Sequence, residues 1–206
     1  MQAVIMAGGY GTRLRPLTNV IPKPMVPIID QPLIEYIVQH LKKYDFDDII
    51  ITLGYRPQDI ISYLGDGSRY GVKIRYNVEN TPLGTAGSVK AVSDMLNKTF
   101  LVISGDSFTN INLYDVAKFH GSHPKGITMV VKELEDVKGF GVVKFDEEGD
   151  ISSFVEKPEK SNGKFVNTGM YMIEKKLLQN IPSGKFDFSR DFFPFVLDEM
   201  KAYVMK

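Results

Sequence analysis

The sequence predicts an α/β protein built on a doubly wound, mixed but mainly parallel sheet, with helices on both faces and an α+β lobe folded onto it. Three observations predict this. Short apolar runs closed by glycine alternate with helical stripes through residue 125. After about residue 126 the pattern changes to strand, hairpin, strand and amphipathic segment. No Pro/Gly/Ser linker separates the two parts, so residues 1–206 read as one domain with halves 1–125 and 126–206.

The elements follow in order. Residues 2–6 are a buried strand stopped by Gly8-Gly9. Residues 31–43 set Leu33, Ile34, Ile37, Val38 and Leu41 on one helical stripe. Residues 48–53 (DIIITL) form a second buried strand, and 57–64 a short helix stopped by Gly65-Asp66-Gly67. Residues 72–78 alternate as a strand, 85–96 read as a helix, 100–104 (FLVIS) as a buried strand and 113–120 as a helix. Strand–helix alternation of this kind implies parallel strands joined by right-handed crossovers. In the second half, 127–132 is a strand, and 142–145 and 151–155 pair around a five-residue polar turn. A strand over 166–173, a short helix to Asn180, an amphipathic helix over 189–201 and a strand starting at 202 complete the chain.

Composition narrows the function classes. The 25 Lys and Arg balance 25 Asp and Glu, which argues against a nucleic-acid partner needing a basic face. A small anion remains compatible, because a few cations focused in one cleft suffice. The absence of cysteine removes disulfides, thiolate catalysis, iron–sulfur clusters and Cys-type zinc sites. No apolar run nears the roughly 18 residues of a membrane span, and no basic segment precedes the first apolar run. The expectation is a cytoplasmic protein with no membrane partner. A homo-oligomer is compatible with the sequence.

The chemistry concentrates after the first strand, in Gly8-Gly9-Tyr10-Gly11-Thr12-Arg13-Leu14-Arg15-Pro16-Leu17-Thr18. Glycines in such a turn let backbone N–H groups approach an anion closely. A Walker A loop would need Gly-Lys-Ser/Thr, which is missing. A dinucleotide fingerprint would need a helix next, but Pro16, Pro22, Pro24 and Pro27 follow. The proline-stiffened stretch fixes where Lys23 points, so Arg13 and Lys23 converge on one anion.

The pattern Gly9-x-Gly11-Thr12-Arg13-Leu14-x-Pro16-x-Thr18-x-x-x-Pro22-Lys23-x-x-x-Pro27 resembles the signature of the sugar-nucleotide pyrophosphorylases. Later motifs of the same family recur in order over essentially the whole chain. They are Leu83-Gly84-Thr85-Ala86, Ser104-Gly105-Asp106, Gly141-Val142, Glu156-Lys157-Pro158 and Asn167-Thr168-Gly169. The variant it resembles most is the mannose-1-phosphate guanylyltransferases. The resemblance implies a Rossmann-like, nucleotide-diphospho-sugar transferase-like fold, with residues 1–125 binding nucleotide and 126–206 binding sugar phosphate. It implies a nucleotidyltransferase that joins an NTP, here GTP, to a sugar 1-phosphate, with Mg²⁺ as cofactor.

By that resemblance, Arg13 and Lys23 hold the triphosphate and Asp106 holds the metal, and these three form the catalytic set. The nucleotide side comprises Ala7, Gly8, Gly9, Gly11, Thr12, Arg13, Lys23, Glu79, Gly84 and Thr85. The sugar-phosphate side comprises Gly141, Glu156, Lys157, Asn167 and Gly169. Lys157 is expected to meet the sugar phosphate, with Pro158 restricting its backbone to extended conformations. Glu79 sits where the family reads the base. Guanine offers two donors that a carboxylate accepts, whereas uracil and thymine offer one donor between two acceptors.

One departure stands out. The family's second metal-binding aspartate lies in an aromatic-x-Asp-Ile-Gly segment, and this sequence has no Asp after Asp198. The expectation is a fragment of a longer protein. Two alternatives stay open at this stage: a glucose-1-phosphate thymidylyl- or uridylyltransferase, and a nucleotide-sugar binding subunit without turnover. His120 and His123 lack a third metal ligand nearby and read as surface caps. Phe186, Phe188, Phe192, Phe193 and Phe195 read as core or subunit contact, with Pro194 kinking their helix.

Overall fold

The computed structural model describes residues 1–160 and 163–205. Strand β1 spans Gln2–Ala7, and the two-residue strands β2 (Pro27–Ile28) and β3 (Gln31–Pro32) lead into helix α1 (Leu33–Lys43). Then come β4 (Asp48–Leu53), α2 (Pro57–Leu64), β5 (Lys73–Val78), α3 (Gly84–Ala91), β6 (Thr99–Ser104), α4 (Leu113–Gly121) and β7 (Ile127–Glu133). The second half adds β8 (Gly141–Phe145), β9 (Ile151–Glu156), β10 (Phe165–Glu174) and β11 (Met200–Val204).

One sheet runs in the order β11-β7-β10-β6-β1-β4-β5, with β8 attached to β10 and β9 to β8. β1 pairs in parallel with both β4 and β6, β4 with β5, and β11 with β7. Within that path β10 alone is antiparallel to its neighbours. This is the mixed, mainly parallel sheet that the alternation predicts.

Strand alternation sends side chains to two cores. Val4, Ile50 and Val102 pack on one face with Ala86 and Val89 of α3. Ala3, Ile5, Ile49 and Ile51 pack on the other with α1, α2 and α4. The predicted stripe of α1, from Leu33 to Leu41, is wholly buried there. Each such aliphatic side chain contributes about 1.5–3 kcal/mol by leaving water, so the two faces fix the strand register and with it the strand ends that carry the site.

Two predicted helices change form. The helix expected over 85–96 stops at Ala91, and Ser93–Met95 is a tighter turn. Val92 and Leu96 are both buried, and the tightened backbone lets both reach the core before β6 begins. The amphipathic helix expected over 189–201 is replaced by a wide turn at Phe188–Phe192 and tight turns at Phe193–Phe195 and Leu197–Glu199. Pro194 cannot donate an intrahelical bond. The irregular path lets Phe188 stack on Phe193 at 5.3 Å, with Tyr171 edge-on to Phe193 at 4.8 Å. Phe195, at 81% exposed, lies outside that cluster.

Candidate active site

The parallel strands deliver their carboxyl ends to one edge of the sheet. There β1 ends in the glycine loop, β6 in Gly105-Asp106, and β5 in Glu79. Gly105 N donates to Met6 O at 2.8 Å and Glu79 N to Leu53 O at 2.8 Å, so these ends are hydrogen-bonded to one another. In the glycine loop, Gly11 has φ 63, and a Cβ there would stand 3.0 Å from both Lys23 Cβ and Thr18 Cγ2. The buried Thr18 hydroxyl donates to Gly11 O at 2.9 Å. The spacing of Gly11, Thr18 and Lys23 is therefore a packing requirement that seats the base of the Lys23 side chain.

Two adjoining cavities open at this edge. The first, about 380 Å³, is lined by Ala7, Gly8, Gly9, Gly11 and Thr12 of the loop. Arg13, Lys23, Glu79, Gly84, Thr85 and Asp106 complete its predicted lining. The second, about 310 Å³, is lined by Gly141, Glu156, Asn167 and Gly169. Met6, Arg13, Thr85, Ser104, Asp106 and Asp187 line both.

Asp106 stands at this seam. Lys23 Nζ donates to its Oδ2, and the Ser104 hydroxyl donates to Oδ1 at 2.5 Å. Partial burial pushes its carboxyl up, but the hydrogen bonds from Lys23 and Ser104 outweigh that and hold it below the usual carboxylate range. Glu79 Oε2 accepts from Leu83 N at 3.1 Å, while its buried Oε1 has no hydrogen-bond partner among the described residues. An unsatisfied buried carboxylate oxygen is costly, and this one belongs to a residue of the cavity wall. On the other side, Asn167 Oδ1 accepts from Gly169 N at 2.8 Å, and its Nδ2 donates to the Tyr171 hydroxyl at 2.7 Å.

Lys157 departs from expectation. Its φ is 46, so Pro158 does not hold it extended. Its N–H donates to Phe140 O at 3.1 Å, continuing the β8–β9 ladder, and the chain turns sharply there. Lys157 Nζ lies 3.2 Å from Glu156 Oε1, and Lys157 is not among the residues lining either cavity. His120 and His123 are not surface caps either. His120 is 6% exposed, and both rings lie 2.9 Å from the Thr128 hydroxyl. Among the described residues no three or more His, Cys, Asp or Glu gather into a metal-holding cluster. None of the described helices is long and apolar enough to cross a membrane.

Sequence reasoning missed Asp187. Its Oδ2 accepts from the Thr85 hydroxyl and its Oδ1 from the Ser189 and Arg190 N–H groups. Beside it, Phe186 O accepts from Ala86 N at 3.0 Å and Gly87 N at 2.9 Å, and Phe186 N donates to Leu83 O at 2.8 Å. Gly84 has φ 73, and a Cβ there would lie 2.6 Å from Phe186 O. The Leu83–Gly87 turn is thus clamped by a segment a hundred residues away. Phe186 and Phe188 drew attention as apolar, and no local pattern links them to that turn.

Known proteins resemble this chain over nearly all of its length. The family model described as nucleotidyl transferase matches residues 2–206. The UTP–glucose-1-phosphate uridylyltransferase of Synechocystis is 36% identical over 96% of this chain and 55% of its own length. The mannose-1-phosphate guanylyltransferase catalytic subunit beta of Dictyostelium discoideum is 35% identical over 100% of this chain and 58% of its own. The chain thus spans little more than half the length of these curated relatives. The crystal structure of HddC from Yersinia pseudotuberculosis complexed with GMP-PN superposes with a TM-score of 0.84 and 32% identity, covering 100% of this chain and 90% of that one.

Proposed function

The chain belongs to the nucleotidyl transferase family, and from that premise we propose that it joins a nucleoside triphosphate to a sugar 1-phosphate and releases pyrophosphate, with GTP and mannose 1-phosphate as the substrates. The observation that carries this reading is the seam of two cavities at Asp106, Arg13 and Thr85. A triphosphate in the first and a sugar phosphate in the second would meet there.

The reaction is an in-line displacement. A sugar-phosphate oxygen forms a bond to the α-phosphorus, and the bond from that phosphorus to the pyrophosphate oxygen breaks. Two polyanions must approach, and two like unit charges about 4 Å apart repel by about 4 kcal/mol at an effective dielectric near 20. Arg13 and Lys23 offset this on the triphosphate side, and the glycine loop lets the chain approach the phosphates closely. On the sugar side, Glu156 accepts from hydroxyls, with Asn167 and the backbone at Gly141 and Gly169 beside it. Lys157 reaches the sugar phosphate only by leaving Glu156. No protein nucleophile is required, so the contribution is positioning and charge stabilisation.

Asp106 suits a divalent cation of the Mg²⁺ type, which takes one or two carboxylates and fills its remaining positions with phosphate oxygens and water. When bound, such an ion neutralises charge developing on the phosphates. Glu79 lines the first cavity, and a carboxylate there favours guanine because it can accept from both donors of that base edge. A HddC structure holding GMP-PN is among the similar folds.

A pyrophosphate-release assay tests the reading. The four common triphosphates are crossed with glucose and mannose 1-phosphates in the presence of Mg²⁺. The assay is run on this chain and on one extended at its C-terminus with the matching segment of a relative. Fastest release with GTP and mannose 1-phosphate is expected. Fastest release with UTP or dTTP and glucose 1-phosphate would move the assignment toward the uridylyl- or thymidylyltransferases. Nucleotide-sugar binding without release in either form would make it a binding subunit.

A further inference from the structure

Lys23 and Asp106 lie 83 positions apart and form an ion pair on the wall of the first cavity. We propose that the Lys23 ammonium and a divalent cation are alternative occupants of Asp106 Oδ2. A triphosphate that draws Lys23 onto its own oxygens therefore raises the chain's affinity for the metal. The second statement rests on the nucleotidyl-transfer reading. The first concerns the protein and a metal alone.

The geometry allows one occupant at a time. Asp106 Oδ1 is engaged by the Ser104 hydroxyl at 2.5 Å, which leaves Oδ2 as the oxygen turned to a cation. Lys23 already holds it, and an ammonium and a dication on one oxygen repel each other. The exchange needs only a side-chain motion. The Lys23 backbone is seated between Pro22 and Pro24, and its Cβ packs so near Gly11 that a Cβ added there would stand 3.0 Å away, so the base of the side chain is fixed. Beyond Cβ the stem is flexible, and the head is a compact point charge with rotatable donors. The side chains of the pair are 32% and 34% exposed, so phosphate and metal reach them without any opening of the core. Coupling of this kind is reciprocal: whatever removes Lys23 from Asp106 tightens the metal, and the metal loosens Lys23 by the same factor.

The test titrates Mn²⁺ alone into the chain, with free Mn²⁺ counted by electron paramagnetic resonance. Lys23→Met is expected to bind Mn²⁺ about fivefold more tightly than the parent chain, the upper end of what a partly exposed pair is worth. Asp106→Asn is expected to lose the site. Arg13→Met removes another cation of the same cavity that is not the Asp106 partner, and a change within about twofold is expected. Equal gains in Lys23→Met and Arg13→Met would mean a general field and would overturn the proposal, as would no gain in Lys23→Met. A second readout needs no substitution. The Lys23 ammonium resonance of the parent chain is followed by lysine-selective NMR during Mg²⁺ addition, and saturation with metal that leaves it unmoved would also overturn the proposal. A chain that shows the exchange yet binds no triphosphate would refute the nucleotidyl-transfer reading and leave the competition standing.

Discussion

Thr85 Oγ1 donates to Asp187 Oδ2 at 2.9 Å across 102 positions of sequence, and the same hydroxyl accepts from Phe188 N at 2.8 Å. Thr85 and Asp187 both line the two cavities. The wall between the proposed nucleotide and sugar sides is therefore fixed by the second half of the chain.

Replacing Asp187 by Ala strips one acceptor from the Thr85 hydroxyl and from two backbone N–H groups. The expected loss of stability is about 1–3 kcal/mol in urea unfolding, with pyrophosphate release reduced about 10- to 100-fold through misplacement of Thr85. Unaltered stability and rate would remove Asp187 from the account.

Gly84→Ala adds a methyl group 2.6 Å from Phe186 O at a φ of 73. Left-handed strain and overpacking together should cost about 2–4 kcal/mol. Gly9→Ala places its methyl where nothing lies within 4 Å, and stability should stay within about 0.5 kcal/mol. Denaturation midpoints of the two variants decide the matter, and equal losses would show that the clamp is not what requires glycine.

Glu79→Gln keeps an acceptor for Leu83 N but turns a doubly accepting edge into one donor and one acceptor. The preference for GTP over UTP, read as a ratio of kcat/KM values, should fall about tenfold or more, the equivalent of one charge-assisted hydrogen bond. An unchanged ratio rejects Glu79 as the base reader.

All three histidines sit below their ordinary value of 6.5, and in each the largest cause is burial. A depressed histidine leaves the folded chain with fewer protons than the unfolded chain just below pH 6.5. Stability therefore rises with pH through that interval and is lost as pH falls. The melting temperature should drop between about pH 7.5 and about pH 5.5, the range in which histidine changes charge. His120→Gln should flatten that slope. A melting temperature constant across the range would show that the histidines charge freely in the folded state.

Much of this architecture is legible in the residues, and the exceptions have physical causes. The segments 48–53 and 57–64 announce themselves by an unbroken apolar run and a glycine stop, and β4 and α2 span those limits. Periodicity works there because each element buries one consistent face. It fails over 188–199, where Phe188, Phe192 and Phe193 must all reach one core and Pro194 forbids the helix that would space them. It fails also at His120, which meets Thr128 of β7 and, from far away in sequence, Glu174 of β10, a contact no local window contains. At the candidate site, the glycine loop and Asp106 are visible as motifs because each follows a strand end, and Lys23 because prolines stand on both sides of it. Asp187 is not, because its role exists only once residues 83–87 are folded against it.

The most direct measurement follows the α-phosphorus. GTP labelled at that position is incubated with mannose 1-phosphate and Mg²⁺, using this chain and the C-terminally extended form. The account predicts label in a nucleotide sugar, with unlabelled pyrophosphate appearing in equal amount and only when the sugar phosphate is present. Label that stays in the triphosphate in both forms, or passes to a free nucleotide whether or not the sugar phosphate is added, would contradict it.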